Sequence, residues 1–158
     1  MTRSIATLCA LALVSLAGAL AWCRPEIPMK SPEVLARSAT HVVTGEVRRV
    51  YEADEETEGK WRYRRCVAEV LVDAVEKGEG PAPGEVLFVR WFTRSWSGGR
   101  MPPSSTGHHG WTPEGGERVR VYLARDAHDG FEDGPHDGGH DVLVPNGFED
   151  LPAADEAR

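Results

Sequence analysis

The segment WRYRRCVAEVLVDAVEKG, residues 61–78, can be interpreted as a β-strand or as a helix, and the choice between them sets the fold class. As a strand, it divides its side chains between two faces. The face predicted to be buried carries Cys66, Ala68, Val70, Val72 and Ala74, and the other carries Val67, Glu69, Leu71, Asp73 and Val75. Alanine residues keep a helix open as the alternative, but the valine content and the Lys77-Gly78 turn favour the strand.

Four further segments have the composition of strands: HVVTGEVRRVYE (41–52), EVLFVRWF (85–92), ERVRVYLA (117–124) and DVLVP (141–145). Gly45 inside the first of them predicts a bulge or a sharp bend. The third has the plainest alternation in the chain, with Val119, Val121 and Leu123 on its inward face. DVLVP is predicted to pair with it as the second strand of a hairpin.

A short helix is predicted before the first strand. Ser31-Pro32-Glu33 has the order of an N-cap, a proline at the first helical position and an acid in the first turn, and the helix runs about two turns. Residues 93–116 form a long Gly/Pro/Ser-rich segment, which predicts either mobility or a function. Five strands, one short helix and many turns predict an all-β fold, a small five-stranded OB-like barrel.

Charge is distributed unevenly along the 158 residues, whose net charge is −7. Residues 126–158 hold ten acids and one basic residue, a sum of −9, so the remaining 125 residues sum to +2. Binding of nucleic acid needs a clustered positive face. The sequence therefore predicts no nucleic-acid partner.

The N-terminal residues have the pattern of a signal peptide. Met1-Thr2-Arg3 is followed by the apolar run IATLCALALVSLAGALA, and Ala19-x-Ala21 provides the small residues that a signal peptidase needs. We therefore predict a leader at 1–21, one OB-like domain at 22–152 and a polar tail at 153–158. The protein is expected to be secreted or periplasmic, with no transmembrane span once the leader is cleaved. Lipoprotein anchoring at Cys23 is the alternative, although Trp22 before it is larger than that processing site favours.

Two cysteines remain after removal of the leader, Cys23 and Cys66. An even pair in an oxidising compartment predicts one disulfide between them. The alternative is that Cys66 is an unpaired core residue.

The stretch WCRPEIPMKSPEVLARSATHVVTGEVRRVY resembles the opening of netrin-type, TIMP-like secreted domains, which start with a cysteine, pass a Ser-Pro-Glu helix and enter a V-x-x-G-x-V strand. VLVDAVEKGEGPAPGEVLFVRW is similar to their K-G turn and following strand, and GERVRVYL to their late strand. The resemblance covers most of residues 22–124 and implies an OB-like five-stranded barrel.

This chain departs from that family in its cysteines. Family members carry further cysteines, one of them shortly before the late strand, where GHHGWTPEGGERV has none. The family's inhibitors chelate a protease zinc through an N-terminal cysteine, whereas Ala19-x-Ala21 predicts Trp22 as the first residue. Protease inhibition is therefore not expected, and a bond between Cys23 and Cys66 would be this chain's own arrangement.

Aromatic and arginine residues alternate in and near the long segment. Arg94, Trp96, Arg100 and Trp111 are the predicted partner-binding residues. Such interleaving suits carbohydrate, peptide or single-stranded nucleic acid. The alternative is that Trp91 packs in the core while Trp96 and Trp111 fix the segment to the domain.

The segment DAHDGFEDGPHDGGHD, residues 126–141, concentrates histidines and carboxylates. Its candidate metal ligands are His128, His136, Asp137, His140 and Asp141. Pro135 and Gly138-Gly139 disfavour the helix that would align His136 with His140. We expect at most weak binding of divalent metal here, and no cofactor.

No strained nucleophile motif of the G-x-S-x-G type occurs in the sequence. An exported, non-catalytic domain that binds an extracellular or envelope protein or glycan is therefore the favoured prediction. The alternative is a metal-binding protein or metal-dependent enzyme that uses the His/Asp-rich segments.

Overall fold

The structure is a computed structural model that describes residues 27–53, 55–99, 108, 110–125 and 139–152. The described chain forms one helix and seven strands: α1 (Pro32–Ser38), β1 (His41–Glu52), β2 (Glu56–Glu58), β3 (Trp61–Lys77), β4 (Val86–Trp96), β5 (Arg118–Arg125), β6 (His140–Val142) and β7 (Phe148–Leu151). The all-β class is therefore confirmed, and residues 61–77 are a strand. The predicted leader and the polar tail lie outside the described residues.

Five strands are joined into a ring. Antiparallel pairing links β1 with β3, β3 with β4, β5 with β6, and β1 with β5. A parallel pairing of β4 with β6 completes the ring, and it joins Val89 to His140 and Arg90 to Asp141. The predicted pairing of residues 117–124 with 141–145 is confirmed in part: β5 pairs antiparallel with β6, but β6 ends at Val142.

β1 bends at the predicted place. Its register with β3 shifts between Thr44 and Gly45, which marks a bulge. A Cβ at Gly45 would collide with the backbone carbonyl oxygen of Leu71, so the two strands approach here more closely than a side chain allows. β1 pairs with β3 along one edge and with β5 along the other.

The core fills the inside of the ring. Its buried residues are Val43, Val47, Cys66, Ala68, Val70, Val72, Leu87, Val89, Trp91, Val119, Val121, Leu123, Val142 and Phe148. The predicted inward faces of β3 and β5 are confirmed, except that Ala74, near the end of β3, is exposed. Trp91 packs edge-on against Phe148, with ring centroids 5.1 Å apart.

α1 covers part of the outer side of β1 and β5. Leu35 is buried there with Ala39, Val42 and Tyr122. Lys77 of β3 donates from its ammonium to the carbonyl oxygens of Ala36 (2.8 Å) and Ala39 (2.6 Å), which satisfies acceptors at the helix end. Within the described residues, no helix has the length and apolar character needed to cross a membrane.

Three features of the sheet differ from the sequence prediction. β4 was expected to end at residue 92 and continues to Trp96. β2 and β7 were not predicted; β7 pairs antiparallel with β5 from Val121 to Arg118, and β2 pairs with the start of β3. β7 and the end of β4 depend on partners distant in sequence, whose positions a local pattern does not contain. β2 instead forms a tight hairpin with the residues that follow it, Glu58 pairing with Trp61.

Candidate functional site

The candidate site lies where β2, the beginning of β3 and the end of β4 run side by side. Trp61 pairs with Trp96 and Tyr63 pairs with Arg94 across β3 and β4, without a shift of register between them and the core-lining Cys66. Because side chains alternate along a strand, these four residues lie on the opposite face from Cys66 and thus outside the core. We call Trp61, Tyr63, Arg94 and Trp96 the aromatic–arginine cluster.

Ring contacts hold the aromatic–arginine cluster together. The guanidinium carbon of Arg94 lies 3.7 Å from the ring centroid of Trp61 and 5.0 Å from that of Tyr63. Trp61 and Trp96 meet edge to face, with centroids 4.8 Å apart and planes at 62°. Each cation–π contact stabilises by about 0.5–2 kcal/mol, and an aromatic pair adds about 0.5–1.5 kcal/mol. The cluster is therefore ordered before any partner arrives.

Tyr63 is the most buried member of the cluster, at 6% exposure. Its hydroxyl donates to a carboxylate oxygen of Glu58 in β2 at 3.1 Å. Burial raises the pKa of Tyr63, and the hydrogen bond to Glu58 raises it further, so the phenol stays protonated at neutral pH. Tyr63 thus anchors the cluster to β2 rather than presenting a polar group to solvent.

Trp61 and Trp96 keep part of their surface exposed, whereas Tyr63 does not. The backbone N–H and the hydroxyl of Ser97 both donate to the carbonyl oxygen of Lys60, at 2.8 and 2.9 Å, which closes this end of the β3–β4 pair. The exposed Lys60 places its ammonium 6.0 Å from the ring of Trp96. Gly98 lies against Trp96, since a Cβ there would come within 2.5 Å of the indole ring.

The predicted partner-binding residues do not all share one place. Arg94 and Trp96 belong to the cluster, whereas Trp111, 40% exposed, lies in the segment that leads to β5. The carbonyl oxygen of Trp111 is 3.4 Å from Nε2 of the buried His108. Arg100 lies outside the described residues. Trp61 and Tyr63 were not singled out from the sequence, although their spacing of two residues matches that of Arg94 and Trp96.

The structure describes two of the five candidate metal ligands, His140 and Asp141. His128, His136 and Asp137 lie outside the described residues. Asp141 is 4% exposed, and its two carboxylate oxygens accept from Nε and Nη2 of Arg90 at 3.0 and 3.2 Å. Within the described ranges, no three His, Cys, Asp or Glu residues are grouped as a metal ion would require.

His140, the remaining candidate ligand, contacts a second histidine. Its ring meets that of His41 edge to face, with centroids 5.0 Å apart. Burial lowers the pKa of His140, and the nearby His41, Arg125 and Arg90 lower it further. The ring is therefore neutral at pH 7.

Cys66 is a buried thiol on the core face of β3. Burial raises its pKa to about 11, so it carries no charge at neutral pH and is a poor nucleophile. Its predicted partner Cys23 lies outside the described residues, and the disulfide stays a prediction.

Comparison of the chain with protein-family models, with curated proteins and with solved structures finds no match. Inference about function therefore rests on the sequence and on the geometry of the described residues.

Proposed function

We propose that this chain is an exported, non-catalytic binding module that recognises a glycan through the aromatic–arginine cluster. The observation that carries the proposal is the pairing of Trp61 and Trp96, which hold partly exposed indole rings 4.8 Å apart on the non-core face of the sheet. Packing of the ring interior does not require tryptophans on that face. Export rests on the predicted leader.

The size of the surface favours a glycan over a protein partner. A stable protein interface covers about 800 Å² and 20–30 residues on each side. The aromatic–arginine cluster and Lys60 together comprise only five residues, a size that suits one or two sugar rings. Indole faces pack against the C–H face of a sugar, while cationic donors bind its hydroxyl oxygens.

The position of the cluster also supports the proposal. Barrels of the OB type bind oligosaccharides on the face of their second and third strands and the adjoining loops. In chain order, β3 and β4 are the second and third of the five ring strands. The resemblance to netrin-type domains, which implies the same barrel, agrees with this placement.

Each residue has a distinct part in the proposed recognition. Trp61 and Trp96 provide the stacking surface, and the exposed Lys60 provides a donor at its edge. Arg94 acts by position, because its guanidinium lies on the ring of Trp61 and fixes that ring's orientation. Tyr63 holds the group to β2 through Glu58.

Affinity electrophoresis of the mature protein tests the proposal. The gels contain xylan, mannan, mixed-linkage β-glucan or glycol chitin, and the mobility of the protein is compared with that in a plain gel. We expect retardation by at least one polymer, lost in Trp61→Ala and in Trp96→Ala. Trp111→Ala is the matched control, since it removes an exposed indole outside the cluster and is expected to leave retardation unchanged.

Two outcomes contradict the proposal. One is normal mobility in all four gels. The other is retardation that survives Trp61→Ala and Trp96→Ala in proteins whose circular dichroism matches the parent. A protein partner would then be the next hypothesis, because the same surface remains exposed in the absence of glycan binding.

The metal-binding alternative has one observation in its favour, the contact of His41 with His140. Nε2 of His140 is buried and finds no hydrogen-bond partner in the part of the chain that the structure describes. Calorimetric titration with zinc and calcium tests this alternative. Tight stoichiometric binding that His136→Ala and His140→Ala abolish would favour it over the glycan proposal.

A further inference from the structure

Two aromatic side chains outside the aromatic–arginine cluster are well exposed on the outer surface of the sheet. Phe88 of β4 is 55% exposed, and Tyr51 of β1 is 42% exposed. Phe88 lies between Leu87 and Val89, which face the core, so its side chain points away from the core. The hydroxyl of Tyr51 reaches Glu69 of β3 on the same outer surface.

Glu69 lies between these two aromatic residues. Its neighbours Ala68 and Val70 face the core, so Glu69 faces outward, and it is directly opposite Phe88 across the β3–β4 pair. On its other side, the hydroxyl of Tyr51 donates to Oε1 of Glu69 at 2.6 Å. Tyr51 and Phe88 thus flank one carboxylate across three neighbouring strands. We call Tyr51, Glu69 and Phe88 the outer aromatic patch.

The chemistry of the outer aromatic patch suits a sugar. Phe88 offers an exposed ring on which the C–H face of a sugar can pack. Glu69 keeps acceptor capacity for hydroxyl groups, because a carboxylate has about four acceptor positions and Tyr51 uses one of them. Arg49 lies opposite Glu69 in β1, with its guanidinium carbon 5.8 Å from the ring centroid of Tyr51. The patch combines a stacking surface with hydrogen-bonding groups of both kinds.

β3 connects the outer aromatic patch to the aromatic–arginine cluster. Trp61 and Glu69 both lie on the outer side of β3, eight positions apart, which is roughly 27 Å along an extended strand. Between them on that side are Tyr63 of the cluster, the exposed Arg65 and the partly exposed Val67. A linear glycan that follows β3 can therefore contact both sets of aromatic residues, whereas a disaccharide is too short to do so.

We propose that the outer aromatic patch is a second glycan subsite, so that the protein binds an extended linear chain of sugars rather than a single sugar or a chain end. In this arrangement Phe88 stacks on one sugar ring and Glu69 accepts from its hydroxyls, while Trp61 and Trp96 hold a ring further along the same chain. Because the first subsite is the aromatic–arginine cluster, the second rests on the proposed function.

Calorimetric titration of the mature protein tests the second subsite. The ligands are a disaccharide and a hexasaccharide from each of xylan, mannan, mixed-linkage β-glucan and chitin, and the measured quantity is the ratio of hexasaccharide affinity to disaccharide affinity. Phe88→Ala is expected to lower this ratio by about 2- to 12-fold, the effect of losing one aromatic contact. A longer chain also offers more positions to the aromatic–arginine cluster, but this statistical gain is the same in the parent and in the variant.

Two further variants separate the second subsite from the first. Trp111→Ala removes an exposed indole that belongs to neither subsite, and it is expected to leave the ratio unchanged. If Trp61→Ala abolishes binding but Phe88→Ala leaves the ratio unchanged, the second subsite is overturned and the proposed function stands. If none of the oligosaccharides binds the parent protein, both fall together.

A second copy of this chain is the competing occupant of the outer aromatic patch. A stable interface between two copies covers about 800 Å² on each, which is far more than three side chains provide. Sedimentation of the parent and of Phe88→Ala is expected to show the same oligomeric state. Self-association of the parent that Phe88→Ala abolishes, together with an unchanged affinity ratio, would assign the patch to that contact and overturn the glycan subsite.

Discussion

The Arg90–Asp141 ion pair is expected to contribute much of the stability of the β4–β6 contact that closes the ring. β4 and β6 pair over two residue positions, and one of them joins Arg90 to Asp141. The pair is bidentate at 3.0 and 3.2 Å, and the side chain of Asp141 is 5% exposed against 23% for Arg90. Removing one partner of a buried pair costs about 3–5 kcal/mol, because it leaves the other charge desolvated and uncompensated.

We therefore expect Asp141→Ala to lower the free energy of unfolding by about 3 kcal/mol, at the low end of that range because Arg90 is partly solvated. The double variant Arg90→Met with Asp141→Leu removes both charges and is expected to recover most of that loss. Urea unfolding at pH 7, followed by circular dichroism, measures each value. Glu52→Ala is the matched control, since its pair with Arg64 is exposed and contributes about 0–1 kcal/mol. If Asp141→Ala costs no more than Glu52→Ala, the reasoning is refuted.

Three further predictions concern the bulge, the pH dependence of stability and the cysteines. Gly45→Ala is expected to cost about 3 kcal/mol in urea unfolding, the upper end of the usual range for overpacking, because its Cβ would meet the carbonyl oxygen of Leu71. A loss under about 1 kcal/mol would show that the strands separate easily. Burial lowers the pKa of His140 below its unfolded value near 6.5, so the free energy of unfolding is expected to fall as the pH drops below about 6.5. His140→Gln should make this pH dependence weaker. A pH profile of stability that the substitution leaves unchanged would contradict the reasoning. Mass spectrometry of the mature protein should show a gain of about 2 Da on reduction if Cys23 and Cys66 are bonded, and no gain would favour the unpaired alternative.

The sequence was most informative where one side of a strand meets the core. In β5, Val119, Val121 and Leu123 are all buried on the face that the alternation predicted. The bulge at Gly45 was predicted for a related reason, since a glycine within a strand indicates close approach of backbones. Both inferences depend on local spacing and on the period of a strand, which the amino-acid order contains directly.

The local spacing of residues did not predict that β4 extends to Trp96. Residues 93–96 read Thr-Arg-Ser-Trp and precede two glycines, so they were assigned to the long loop. They are a strand because Arg94 and Trp96 pair with Tyr63 and Trp61, some 30 residues earlier in the chain. Trp61 and Tyr63 are two residues apart, as are Arg94 and Trp96. These spacings indicate a shared surface only once the register of β3 with β4 is known.

The two faces of the β3–β4 pair use tryptophan for different physical reasons. Trp91 faces Phe148 and Cys66 inside the ring, and its position is accounted for by the core. Trp61 and Trp96 alternate onto the other face, where burial of the ring interior gains nothing from them. Their order comes instead from each other and from Arg94, and part of each indole remains in water. A surface arranged in this way is stable without contributing to the core, which is the condition for a binding surface that is rigid before its partner arrives.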